Sequence, residues 1–248
     1  MPLITALAVC VSSAASAQSS LGVTGAELSF GGFSQTGGTT SFDAEIVLDV
    51  AVTEAHGLQG ELAWIETNSG AVGRIGAHIY MTPIAGQKYG LFGVIGDVNG
   101  RELTYAVVGI EGMFEVSDDL ALGGYVGAGV GSADGLDVIF AGFEGTYNVS
   151  DTLRLDGGVQ ITEYDELGLQ AIGTEARLNL RYSPKGQPFA VTAGVVQDML
   201  TGPDGAEAQT RGEIKLSWSL GSINGAEPVS RQLRTADPFL PLIRRGIY

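Results

Sequence analysis

The stretch EGMFEVSDDLALGGYVG, residues 111–127, returns thirty-three residues later as EGTYNVSDTLRLDGGVQ, residues 144–160, with nine of seventeen positions identical. In both copies a Val-Ser-Asp corner separates two segments in which apolar and polar residues alternate. Alternation with a period of two is typical of a β-strand that has one apolar face, and a short corner of Ser and Asp is typical of a hairpin turn. The repeat therefore predicts successive β-hairpins.

The same period of two continues along most of the chain, for example in residues 40–52, 152–161, 174–182 and 213–220. Two kinds of connection separate the alternating segments. Tight corners of turn-forming residues lie near residues 54–57, 82–87, 117–119, 150–152 and 183–187. Longer breaks rich in Gly and Asp lie near residues 34–40, 67–71, 97–101, 131–136, 163–168 and 200–209. The pattern predicts twelve strands in up-and-down order, at residues 22–33, 40–53, 58–66, 72–82, 88–96, 102–116, 120–130, 137–149, 153–162, 169–182, 188–198 and 210–220.

Composition limits what the chain can be. Its 248 residues, 44% hydrophobic and 17% charged, are enough for one sizeable folded unit. The formal net charge of −15 is opposite to that of a nucleic-acid-binding surface, so nucleic acid is not expected as a partner. No segment after the N-terminus offers about 18 consecutive apolar residues, which excludes a membrane-spanning helix. A spanning β-barrel stays open, because its strands are short and only half apolar.

The first residues predict an export signal. MPLITALAVCVSSAASAQSS is an apolar run followed by small residues, and Ala15-Ser16-Ala17 fits a signal-peptidase site before Gln18. We predict a signal peptide at residues 1–17, a β-barrel domain at residues 18–221 and a basic C-terminal tail at residues 222–248. The only cysteine, Cys10, lies in the predicted leader, so the mature chain is expected to form no disulfide and no thiolate metal site.

Along each predicted strand the apolar residues occupy every second position, which we call the apolar parity, and the positions between them are the polar parity. Aromatic residues on the apolar parity favour a barrel in a membrane. One group falls near the tight corners and a second group falls towards the other strand ends. Paired aromatic rings around an aliphatic band are typical of the two membrane–water interfaces. The first group is Tyr89, Phe114, Tyr147, Tyr182, Phe189 and Trp218, and the second is Phe30, Phe42 and Trp64.

The face opposite the apolar one carries charges of both signs at mid-strand. In a water-filled or hydrogen-bonded lumen such charges are tolerated, whereas in a dry core each costs several kcal/mol. A soluble sandwich would instead place them on its solvent-exposed faces, so a soluble fold stays an alternative.

The leader, the repeated VSDDLAL and VSDTLRL hairpins, the Gly-rich alternating strands and the late IKLSWSLG resemble a Gram-negative outer-membrane β-barrel of the porin-like class. The resemblance covers residues 20–221 and has no single specific motif. It implies an all-β, up-and-down antiparallel transmembrane β-barrel of about twelve strands, with ten as the alternative, in the cell outer membrane. It also implies that the tight corners face the periplasm, that outer-membrane lipid surrounds the barrel, and that the assembly machinery reads an aromatic near the end of the last strand, here Trp218 with Leu220. A homo-oligomer is left open.

The chain departs from that class after Gly221, where members of the class usually stop. Residues 222–248, SINGAEPVSRQLRTADPFLPLIRRGIY, carry four of the chain's thirteen basic residues, and Pro238 and Pro241 disfavour a central strand there. A basic tail on an acidic barrel suits a plug that enters the lumen or a segment that docks on a periplasmic partner. A disordered end is the alternative.

Charged side chains of the polar parity are the candidate site. If the barrel closes, they surround a lumen in which an acidic arc faces a more basic one, and such a field would order water and select small hydrophilic solutes. The alternative is that these charges pair and fill a closed lumen. The pore-lining candidates are Asp43, Glu45, Asp49, Glu61, Arg74, His78, Glu111, Glu144, Arg154, Asp156, Glu175, Arg177, Arg181, Arg211, Glu213 and Lys215.

The sequence gives little reason to expect catalysis, a cofactor or a metal. Of the two histidines, His56 falls at a tight corner and His78 on the lumen parity, and neither lies in a nucleophile motif. The acidic breaks at residues 132–137, 163–167 and 202–207 lack EF-hand spacing and are typical of solvated loops.

The sequence therefore predicts an outer-membrane channel for passive diffusion of small hydrophilic solutes, without a cofactor and not an enzyme. Two alternatives remain. One is a non-conducting structural barrel, and the other is a soluble periplasmic β-barrel or sandwich that binds a small ligand in its interior.

Overall fold

The computed structural model of the chain describes residues 22–35, 40–132, 136–166, 168–221 and 232–247. The predicted signal peptide lies outside these residues. The strands are β1 Gly22–Gln35, β2 Thr40–Ala51, β3 His56–Thr67, β4 Gly70–Met81, β5 Gln87–Val98, β6 Leu103–Ser117, β7 Leu120–Gly131, β8 Asp137–Ser150, β9 Leu153–Glu166, β10 Leu169–Tyr182, β11 Phe189–Thr201 and β12 Ala206–Gly221. One short helix follows, α1 Leu240–Arg245.

Each strand pairs antiparallel with its neighbour in sequence, and β1 pairs with β12 to close the sheet into a barrel. The closing register runs from Gly25 opposite Gly221 to Gln35 opposite Arg211. The prediction of a twelve-stranded, up-and-down antiparallel barrel is confirmed. Closure leaves no strand edge unpaired, which is the condition for a sheet to sit in hydrocarbon.

The repeated Val-Ser-Asp corners are the tight turns at one end of the barrel. In both copies the register shifts by one residue just before the turn, between Glu115 and Ser117 in one hairpin and between Asn148 and Ser150 in the other. The serine hydroxyl of each turn then accepts a backbone N–H, from Leu120 and Thr152 respectively. The repeat therefore encodes a β-bulge followed by a turn capped by a side chain.

The tight turns all lie at one end of the barrel, which we call the corner end, and the longer connections lie at the other, which we call the loop end. Both β1 and β12 meet the corner end, at Gly22 and Gly221. The C-terminal segment therefore leaves the wall of the barrel at the corner end.

The apolar parity faces outward. Ile75, Val108 and Ile214 expose 63%, 64% and 65% of their surface, and the residues that alternate with them point inside. The corner-end aromatics Tyr147 and Tyr182 are exposed on the same outer face. Placing such side chains outward removes them from water only if lipid surrounds the barrel, so the outer surface is that of a membrane-embedded protein.

No helix among the described residues is both long and apolar enough to cross a membrane.

Candidate lumen site and its plug

All sixteen pore-lining candidates point into the barrel. They take part in interior hydrogen bonds or ion pairs, or they line the interior cavity. Strand alternation explains this placement, because residues two apart share a face and the apolar parity faces outward. The interior residues are Asp43, Glu45, Asp49, Glu61, Arg74, His78, Glu111, Glu144, Arg154, Asp156, Glu175, Arg177, Arg181, Arg211, Glu213 and Lys215.

The interior charges form ion pairs that run along the wall. Most pairs join strands that are close neighbours around the barrel, so they cover the wall and leave the axis to other groups. Such pairing offsets the cost of removing charges from bulk water. The wall pairs are Arg74 with Glu45 and Glu61, Arg154 with Asp156, Arg177 with Glu144, Arg181 with Glu27, Arg211 with Glu175 and Asp198, and Lys215 with Asp43 and Glu45.

Residues 232–247 of the C-terminal tail occupy the axis, and we call this segment the plug. Leu233 contacts Gln59 near the corner end, Asp237 contacts Arg74 further in, and Arg245 contacts Asp198 near the loop end. The plug therefore threads the lumen from the corner end towards the loop end.

Where the plug enters the lumen, a side chain of the wall binds the backbone of the plug. The Gln59 side-chain amide donates to the carbonyl of Leu233 at 2.7 Å and accepts the N–H of Leu233 at 2.9 Å. Gln59 is fully buried, so an unpaired amide there would be costly. This two-point contact replaces the hydrogen bonds that the extended plug backbone cannot make with a neighbouring strand.

The next wall contact is with Thr235. Its hydroxyl donates to the carboxylate of Glu61, and it also lies 2.9 Å from Nε2 of His78. Nδ1 of His78 lies 2.7 Å from Glu111. Gly76 lies opposite, and a Cβ at that position would lie 3.2 Å from the Thr235 hydroxyl. His78 thus connects Thr235 of the plug to Glu111 of the wall and positions the plug.

Asp237 is the most highly connected residue of the plug. One carboxylate oxygen accepts from Tyr105 at 2.7 Å and from Arg74 at 3.3 Å. The other accepts the backbone N–H groups of Phe239 and Leu240, at 3.2 and 3.1 Å. Asp237 therefore joins the wall to the first turn of α1, whose free N–H groups need an acceptor.

The helical end of the plug packs into an apolar cluster at the loop end. Phe239 and Ile243 are fully buried there. The Phe239 ring lies 4.8 Å from that of Tyr105, centroid to centroid, and a Cβ at Gly129 would lie 2.8 Å from Phe239. The wall therefore leaves room for this ring by carrying a glycine. The cluster includes Phe33, Ile65, Val72, Val98, Leu103, Tyr105, Leu136, Val138, Phe140, Tyr164, Leu169 and Leu200 around Phe239, Leu240, Leu242 and Ile243.

A polar cavity of about 340 Å³ remains beside the plug. Its lining includes the ion-paired Arg154, Arg177 and Arg181 of the wall, and Gln232 and Arg234 of the plug. The lumen is therefore only partly filled at the corner end, whereas apolar side chains of the plug pack tightly at the loop end.

The fold matches known outer-membrane channels. The NanC porin superposes with a TM-score of 0.60 at 11% identity, over 78% of this chain and 100% of that chain. An outer membrane channel from Pseudomonas putida F1 gives 0.59 at 13% identity, over 80% and 96%, and the KdgM porin gives 0.55 at 10% identity, over 78% and 99%. The fold is that of an outer-membrane porin.

The similarity to porins is one of structure and was not found by comparison of sequences. No protein-family model matches the chain. No curated protein sequence matches it either. The outer-membrane location and the barrel architecture predicted from the sequence nevertheless agree with the porin fold and its apolar exterior.

The sixteen candidates do not include every polar residue inside this porin-fold barrel. Glu27, Lys88 and Asp198 are also buried inside, and Gln59 holds the plug. Their parity places them inside, but no property of the sequence shows that Asp198 lies between two arginines. In the described residues no cluster of metal-ligating side chains is present. The prediction that the acidic breaks are loops is wrong in part, because residues 163–166 belong to β9, Asp137 begins β8 and Glu207 lies on β12.

Proposed function

We propose that the protein is an outer-membrane channel for passive diffusion of small hydrophilic solutes, and that the described structure is its closed state. In this state the plug occupies the lumen. Lipid contacts the outer apolar band, and solutes use the same lumen once the plug has left.

The proposal is supported mainly by the way the wall charges pair. Each of the five wall arginines and Lys215 has a carboxylate partner in the wall itself. Withdrawal of the plug thus leaves none of these six bases without a partner, so the barrel keeps a hydrated, ion-paired wall when its axis is free. If the wall charges instead depended on the plug for their partners, its withdrawal would leave buried charges unpaired, which is strongly destabilising.

The second candidate is a non-conducting barrel whose plug never leaves. The complete burial of Phe239 and Ile243 at the loop end favours it. The two candidates differ in one property, which is whether the plug exchanges between bound and free positions.

The charge of the wall indicates which ions the open channel prefers. The sixteen candidates include nine carboxylates and six Lys or Arg, and Glu27, Asp198 and Lys88 bring these to eleven and seven, a net charge of −4. The plug carries Arg234, Arg244 and Arg245 against Asp237, a net charge of +2. When the plug leaves, it uncovers a lumen that is acidic overall and that attracts cations.

We therefore expect openings of the full-length protein in planar bilayers to be cation-selective, as measured by the reversal potential in a KCl gradient. Glu213→Gln, in the cavity wall, is expected to reduce the selectivity. Glu163→Gln is the control, because Glu163 is exposed on the outer parity and its loss should leave the reversal potential unchanged. Anion-selective openings would contradict this assignment of the lumen.

A further inference from the structure

The side chain of Arg245 fills a pocket in the wall at the loop end of β11 and β12. Its Nε donates to Asp198 Oδ1 at 2.9 Å, and its Nη2 donates to the Asp198 carbonyl at 2.8 Å. Its Nη1 donates to the carbonyl of Glu207 at 2.9 Å. Only 4% of the side chain is exposed. All three nitrogens of one guanidinium are therefore recognised by the wall.

The pocket is selective for a planar, forked cation. Two backbone carbonyls and one carboxylate surround the group in a fixed arrangement, which matches the donor directions of a guanidinium. An ammonium group is a compact point charge and cannot satisfy the same three acceptors from one position.

The pocket belongs to the wall and does not depend on the plug for its form. Asp198 and Glu207 both lie on strands. The second oxygen of the Asp198 carboxylate accepts from Arg211 at 3.0 Å, which fixes the side chain from the other side. Arg211 also pairs with Glu175 at 2.9 Å. When Arg245 is removed, the Asp198 carboxylate keeps one arginine partner, Arg211, which it shares with Glu175, and its other oxygen loses its cation.

We propose that this pocket is a binding site for the guanidinium group of a solute or peptide, and that Arg245 is its internal ligand. The inference goes beyond passive diffusion and rests on the proposed function only for the displacement of the plug. A solute that carries a guanidinium competes with Arg245 for Asp198 and thereby favours release of the plug.

The test uses the full chain with Arg245→Ala, and methylguanidinium and methylammonium as probes in calorimetric titrations in detergent. Methylguanidinium is expected to bind the variant at least about tenfold more tightly than methylammonium, and to bind the unsubstituted protein weakly. Adding Asp198→Asn is expected to abolish the binding. Equal affinity for the two probes, or binding that survives Asp198→Asn, would overturn the assignment.

Arg234→Ala is the matched control. Arg234 is a plug arginine that pairs loosely with Glu175, at 3.7 Å, with 39% of its side chain exposed. Its removal should create no guanidinium site. Heat-modifiable mobility on gels shows that each variant keeps the closed barrel.

A second measurement needs no substitution. In bilayers, methylguanidinium is expected to raise the open fraction of the unsubstituted channel, and methylammonium at the same concentration to leave it unchanged. Equal effects of the two cations would contradict the proposal. The titration requires no conduction, so a chain that binds methylguanidinium but never conducts would count against the channel and not against the pocket.

Discussion

Replacing Phe239 with alanine is expected to raise the ratio of open to closed time by at least about a hundredfold. Removing a fully buried phenylalanine costs about 3–5 kcal/mol, and here the cost falls only on the state in which the plug is bound. Each 1.4 kcal/mol corresponds to about a tenfold change in the equilibrium. Single-channel recording of the full-length variant measures the ratio directly.

Ile247→Ala is the control for Phe239→Ala. Ile247 follows α1, is 39% exposed and lies outside the apolar cluster. Its truncation removes an apolar side chain from the same chain end, yet it should leave the open fraction unchanged. If Phe239→Ala also behaves like the unsubstituted protein, the plug does not control conduction.

Asp237→Ala is expected to weaken the binding of the middle of the plug to the wall by about 2–4 kcal/mol. The substitution removes a charged hydrogen-bond network and the acceptor for the first turn of α1. Arg74 keeps its pairs with Glu45 and Glu61, so the wall itself should stay intact. The expected result is faster amide hydrogen exchange in plug residues 233–243 with little change in the strands.

The control for Asp237→Ala is Asp151→Ala. Asp151 pairs with Lys185 in a surface contact where both side chains are 83% exposed, and such pairs contribute little. Exchange in the plug should therefore not change. Faster exchange that spreads through the strands of the Asp237→Ala variant would show that Asp237 stabilises the whole barrel and not the plug alone.

The barrel could be predicted from the sequence because the sequence features that specify it are local. Strand alternation and turn chemistry act over a few residues, so the Val-Ser-Asp hairpins and the outward apolar parity were both correct. Aromatic placement then separated a membrane barrel from a soluble one, because Tyr147, Tyr182 and Trp218 all lie outside at one end.

The path of the plug could be anticipated only in part. The basic residues and the prolines indicated a segment that is no strand and that suits an acidic interior. Which wall residues receive it depends on contacts across 132 to 174 positions of sequence, such as Tyr105 with Asp237 and Gln59 with Leu233. A single sequence has no periodicity that reports such pairs. Gly76 and Gly129 are the one local trace, since interior glycines leave space for a passing segment.

A reversible disulfide between the wall and the plug tests directly whether the plug is the gate. A Cβ at Gly76 would lie 3.2 and 3.4 Å from the Oγ1 and Cγ2 atoms of Thr235, which places a cysteine pair within bonding reach. The only native cysteine, Cys10, lies in the predicted leader. Gly76→Cys and Thr235→Cys are combined with Phe239→Ala, and the conductance of one bilayer is recorded before and after a reductant. We expect no current while the disulfide is intact and frequent openings after reduction, with no response to the reductant when either cysteine is absent. Equal conductance of the oxidised and reduced protein would contradict the account.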